Sequence, residues 1–235
     1  MNGSTGVRGT PYGIALLADG PRAAVTVAVV ALHLRGAVEA GVSGTLRAVE
    51  GEAGRALPEL PAPQTPAADF PGQAGALTDA MRAAYLESAV YHYLEEPSEV
   101  QDVVQDPTVR WALAEVRVGL AEAGMLRVPL LGRTRAARRR IQVLRKAFPV
   151  PTGRRGLPDN DILLAVALHG EAALNVLVPR FALRAGLTER VTLREKGRRG
   201  RSPRGGTYGS AGHLYCASRG EGCSGGGGCG GGGSD

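Results

Sequence analysis

Residues 19–36 read "DGPRAAVTVAVVALHLRG", and the fold depends on whether this stretch is a helix or a strand. The β-branched run Val25, Thr26, Val27, Val29, Val30 favours a strand. The length and the start favour a helix. Pro21 suits a first helical position, because the N–H it lacks would have no partner there, and Asp19 or Gly20 is placed to cap. Val25, Ala28, Leu32 and Arg35 follow helical spacing, and Gly36 stands where a left-handed residue ends a helix. The stretch is therefore assigned as a helix, preceded by a short one over Tyr12–Ala18.

The same punctuation returns at 106–124, "DPTVRWALAEVRVGLAEAG". Asp106 is the cap, Pro107 opens the first turn, and Gly124 closes. Val109, Leu113, Val116, Leu120 and Ala123 form the expected buried stripe. Shifting the first region by 88 residues places Gly36 on Gly124, Leu32 on Leu120, Val30 on Val118 and Val38 on Leu126. After each glycine comes an extended segment. "AVEAGVSGTLRAVEG" (37–51) reads as a hairpin with Val38 on one strand, Leu46 and Val49 on the other, and Gly41–Gly44 as the turn; "MLRVPLL" (125–131) reads as a strand. Helix, helix, glycine stop and apolar strand is the order of a winged-helix half.

Five prolines mark 57–72 as a linker or extended loop. A helix follows over 76–96, capped by Thr78, with Leu77, Met81, Ala84, Tyr85, Ser88 and Tyr91 on its inner face. Residues 134–148, "TRAARRRIQVLRKAF", form a basic helix with Ala137, Ile141, Leu144 and Phe148 inward and Arg135, Arg138, Arg139 and Lys146 in water. "LPDNDILLAVALHG" and "EAALNVLVPRFALRAGL" give a closing pair, with Asp159 as cap of the first. The expected fold is mainly α with short β-hairpins: a winged-helix-like unit (1–56), a proline-rich linker (57–75), a second such unit with the basic helix (76–156), the closing helical pair (157–196) and a disordered tail (197–235). With one Trp and three Phe in 235 residues, the core is built from Ala, Val and Leu.

The net charge of +6 hides a division. Residues 133–156 carry nine basic residues and no acid, and 197–235 carry five against two. The remainder has fourteen basic and twenty acidic residues, a net −6. An acidic body thus bears two basic segments. The apolar stretch 162–187 is interrupted by His169, Glu171, Asn175 and Arg180, which excludes a membrane span there. The opening "MNGSTGVRGTPYG" lacks the pattern of a signal peptide, so a cytoplasmic location is expected.

The cysteines are confined to the tail: Cys216, Cys223 and Cys229, the last two inside "CSGGGGCGGGGSD". With His213 they make four residues of metal-ligating type, but of the spacings of two, six and five intervening residues only His213/Cys216 has the close pairing of structural zinc sites, and glycine provides no preorganisation. A flexible tail with accessible thiols at Cys223 and Cys229, open to modification or oxidation, is the expected arrangement.

"TPYGIALLADGPRAAVTVAVVALHLRG", "AEVRVGLAEAGMLRV", the arginine-rich helix, "LLAVALHGEAAL" and the Gly/Cys tail together resemble an uncharacterised family of actinobacterial proteins. The resemblance covers most of residues 10–235 and implies a helical, repeat-like body with a low-complexity C-terminus. Many members are membrane-anchored through added hydrophobic segments. This chain has no such segment, so the resemblance implies at most a membrane-peripheral location. No catalytic residues are known for that family, so it supplies none here.

Catalysis has little support in the residues. His33, His92 and His169 lie within helical stretches, with no Ser, Cys or Asp at a motif spacing. Asp159 and Asp161 suit a helix N-terminus, where the helix dipole favours acids. "GGTYG" lacks the strand and helix of a phosphate loop. The expected function is non-enzymatic: an interaction or scaffold protein for a protein partner, with no cofactor, whose tail is a modifiable or tethering element. The alternatives are a nucleic-acid-binding regulator, with phosphate contacts from Arg135, Arg138, Arg139 and Lys146, and a redox or metal-handling role for the tail thiols. Sequence-specific DNA reading is not expected, because 106–124 offsets its arginines with glutamates and has no Asn or Gln for base edges.

Overall fold

The computed structural model describes residues 9–42, 44–61, 77–127 and 132–188. The tail, with His213, Cys216, Cys223 and Cys229, lies outside the described residues, as do most of the proline-rich segment and residues 128–131 of the expected strand.

Residues 19–36 are helical. The chain enters α1 (Pro11–Asp19) through Thr10, whose side chain accepts a hydrogen bond from the Gly13 amide. Gly20, at φ 92°, turns the chain into α2 (Pro21–Leu34), with Pro21 at the start. The β-branched run does not make a strand because α2 is buried nearly all round: Ala24, Val25 and Val27–Leu32 are each at most 1% exposed. A helix enclosed on every side needs no polar face, and packing overrides the modest helix propensity of valine. It is the central element, against α1, α4 (Asp79–Tyr93), α5 (Val100–Gln105) and α8 (Asp159–His169).

Both glycine stops have one geometry. After α2, Gly36 (φ 78°) donates to the His33 carbonyl and Ala37 to the Leu32 carbonyl. After α6 (Pro107–Glu122), Gly124 (φ 68°) donates to Ala121 and Met125 to Leu120. The same pair of capping bonds closes both helices, and each leads into a hairpin. In the first, β1 (Val38–Ala40) pairs antiparallel with β2 (Leu46–Ala48) in the register Val38↔Ala48 and Ala40↔Leu46. In the second, β3 (Leu126–Arg127) pairs with β4 (Gly132–Arg133). The first hairpin is also joined to the turn between α4 and α5: Leu46 and Ser98 exchange both backbone bonds, and Ala48 donates to Leu94. All described elements belong to one compact unit.

Not every aligned pair of the repeat shares an environment. Val30 is fully buried, whereas Val118 is 45% exposed. The reason is placement: α2 is central, and α6 lies outside α4.

Several local expectations are corrected. On α4 the expected inner face holds only in part: Ser88 and Tyr91 are buried, but Met81 is 45% exposed, and Ala83, Leu86, Glu87 and Val90 are buried as well, because α2 and α6 pack on this helix. Asp159 is the first helical residue of α8, with Pro158 as its cap, so Asp159 and Asp161 occupy the first turn. The closing elements are three helices, since Pro179 divides α9 (Glu171–Leu177) from α10 (Pro179–Arg184) and removes a backbone donor. Two short helices, α5 and α3 (Glu52–Arg55), were not expected from the sequence. The architecture is mainly helical with two small antiparallel hairpins. Among the described residues, no helix is long and apolar enough to cross a membrane.

Candidate functional site

The basic segment forms α7 (Arg135–Ala147). Thr134 caps it, accepting from the Ala137 amide, while its hydroxyl reaches the Gly124 and Met125 carbonyls. Ala137, Ile141 and Leu144 are buried, and α7 rests on α1 and α8.

The basic residues divide by role. Arg133 donates to the Ala18 carbonyl at 2.9 Å, and Arg145 donates through Nε to the Leu168 carbonyl at 2.8 Å. These carbonyls lie in the last turns of α1 and α8, where unpaired acceptors and the helix dipole attract cations. Arg145 also pairs with Asp19 at 3.5 Å. Of the remaining cations of α7, Arg140 lines a cavity and the other four point outward. Arg135, Arg139 and Lys146, four and seven residues apart, share one face, with Arg138 on its flank; all four are exposed. Among the described residues none of the four has a carboxylate within ion-pair distance. Val143, 57% exposed, lies among them.

Under α7 lies a cavity of about 410 Å³ between α1, α4, α6 and α7. Ile14, Leu17, Val116, Leu120 and Ile141 give it apolar walls, and Asp79, Arg82 and Arg140 are its charged residues. Arg82 is only 6% exposed. It donates to Glu122 at 2.8 Å and lies 3.6 Å from Asp79, while its Nε has no acceptor among the described residues. Gly119 makes room for it: a Cβ there would lie 2.6 Å from Arg82 Nη1. Neither Arg82 nor the cavity is legible in the sequence, since an arginine at a helix start is ordinarily solvated.

A second buried charge is equally hidden in the sequence. Glu87, 4% exposed, receives both guanidinium nitrogens of Arg35 and the Tyr12 hydroxyl. Burial, and then the Glu87 charge, push the Tyr12 phenol far above its ordinary range. The hydrogen bond to Glu87 holds the Arg35 guanidinium more firmly protonated.

The three described histidines are held by neighbours. His33 stacks on Phe181, centroids 3.6 Å apart, and its Nδ1 bonds the Val38 carbonyl. His92 pairs with the exposed Glu95, and His169 meets the Phe148 carbonyl at 2.7 Å. Among the described residues no three His, Cys, Asp or Glu side chains converge on a point that could hold a metal. Comparison of the chain with protein-family models, curated proteins and solved structures gave no match.

Proposed function

We propose that the chain is a non-enzymatic interaction protein that docks an acidic protein partner on the outer face of α7. One observation carries this reading: Arg133 and Arg145 are engaged within the fold, whereas Arg135, Arg138, Arg139 and Lys146 are exposed with no acidic partner among the described residues. The face is about 20 Å long and stands on a body whose other segments are net acidic. Double-stranded DNA presents one charge per roughly 1.7 Å of axis, so a duplex meeting this body would encounter its acidic parts as well. A localised acidic patch on a protein suits the face better. Exposed Val143 adds an apolar contact.

The winged-helix reading of the two halves belongs to the same proposal, supported by the shared capping bonds at Gly36 and Gly124 and the hairpin after each. Such a fold does not imply DNA binding. Arg110 and Arg117 on α6 are offset by Glu115 and Glu122, which supports the absence of base reading. The Gly/Cys tail would act as a thiol-bearing tether, in keeping with the resemblance to the Gly/Cys-tailed family.

The test compares poly-L-glutamate with a duplex oligonucleotide, across a salt series, on the wild type and on a variant carrying R135E, R138E, R139E and K146E. The expected outcome is salt-sensitive binding of polyglutamate that the variant loses with its melting temperature unchanged. Tighter binding of the duplex would replace this reading by the nucleic-acid one. No binding of either probe, or binding indifferent to charge reversal, would overturn both.

A further inference from the structure

We propose that the cavity between α1, α4, α6 and α7 binds a small amphiphile: an apolar body ending in a carboxylate. This stands apart from the docking face, on different residues. The volume of about 410 Å³ falls within the roughly 300–1,000 Å³ of small-molecule sites, which combine apolar walls with a few placed polar groups. Ile14, Leu17, Val116, Leu120 and Ile141 supply the walls.

The charge of the head group follows from how the wall's ions are balanced. Arg82 is neutralised by Glu122 at 2.8 Å and Asp79 at 3.6 Å. Arg140 has no such partner among the described residues. Its guanidinium reaches toward Gly9, with Nη2 3.6 Å from where a Cβ of that residue would stand, beside the start of α1. A helix start carries partial positive charge, and the 133–156 segment that supplies Arg140 contains no acid. An anion is therefore favoured at the Arg140 end, and Asp79 disfavours one at its own end. A planar carboxylate also matches the forked donors of arginine.

Octanoate is the probe, with 1-octanol and octylamine as neutral and cationic counterparts of the same body. Calorimetric titration and thermal unfolding are the measurements. Octanoate is expected to bind one per chain and raise the melting temperature, octanol to bind more weakly, and octylamine not to bind. Arg140 is partly exposed, and R140Q should weaken octanoate about tenfold or more while leaving octanol unchanged. Ala123 is exposed and lines the cavity, so A123W should block all three probes with unchanged circular dichroism; A123L serves if the indole lowers stability. R135E/R139E, on the outer face, should leave octanoate binding intact. Absence of saturable octanoate binding, equal binding of octanoate and octanol with R140Q indifferent, binding that survives the Ala123 substitutions, or loss of binding in R135E/R139E would each overturn the proposal.

Discussion

Arg35 grips Glu87 through both ends of its guanidinium, Nη1 on Oε2 at 2.7 Å and Nη2 on Oε1 at 2.5 Å, across 52 residues of chain. Arg35 follows α2, Glu87 lies on α4, and Tyr12 of α1 adds its hydroxyl to the same carboxylate. Three helices of the core thus meet on one buried anion. Removing the cation leaves that anion with the phenol alone. Arg35→Met should cost about 1–3 kcal/mol in chemical denaturation, the scale of a buried group left under-satisfied. Pairing it with Glu87→Leu should recover part of the loss, because the uncompensated charge goes too. Strict additivity of the two substitutions would count against the clamp.

Tyr12 gives this clamp a pH signature. Its folded-state pKa is raised, by burial first and then by the charge and hydrogen bond of Glu87. The unfolded phenol titrates at about 10. The associated stability is therefore complete below that value and declines as pH rises above it, where the unfolded chain releases a proton that the fold retains. Tyr12→Phe should flatten the decline of stability above about pH 10. An alkaline limb of equal slope in both proteins would assign the loss to other groups.

His33 acts at the other end of the scale. Burial lowers its pKa, with the Arg154 charge adding to the effect and the bond to the Val38 carbonyl opposing it. The unfolded imidazole takes up a proton near pH 6.5, before the folded one does. Stability should therefore fall as pH drops through this region. His33→Gln should reduce the slope between roughly pH 5 and 7. The comparison is urea unfolding across that range, and an unchanged slope would remove His33 as the source.

The periodicities and punctuation of the sequence made the helices and glycine stops legible. Pro21 and Gly36, like Pro107 and Gly124, mark helix limits through their own backbone chemistry, so no neighbour needs to be known. The inner face of α4 was hidden because its buried arc includes Arg82 and Glu87, whose side chains are charged. Their burial depends on Glu122, Arg35 and Tyr12, which lie far away in sequence. The basic helix was legible as basic and amphipathic. Its division into Arg133 and Arg145, spent on the carbonyls of α1 and α8, and the outward four depends on where those helices end in space.

Two glycines five residues apart, Gly119 within α6 and Gly124 after it, separate crowding from backbone strain. At Gly124 an added Cβ would meet nothing within 4 Å, yet φ is 68°. Gly124→Val should therefore destabilise by about 1 kcal/mol or more through the left-handed conformation alone. At Gly119 the backbone is helical, and alanine would ordinarily gain about 0.5–1 kcal/mol there. Here its Cβ would stand 2.6 Å from Arg82 Nη1 and 3.0 Å from Asp79 Oδ1. Arg82 cannot swing away without releasing Glu122. Gly119→Ala should accordingly destabilise, opposite to its helix propensity. In an Arg82→Ala background the nearest obstacle is gone and the exposed Asp79 carboxylate, released from Arg82, is free to turn aside, so the same substitution should become stabilising. A double-mutant cycle on urea midpoints measures this change of sign. If Gly119→Ala proves stabilising in both backgrounds, Arg82 is not packed over Gly119 and the wall of the cavity is misassigned.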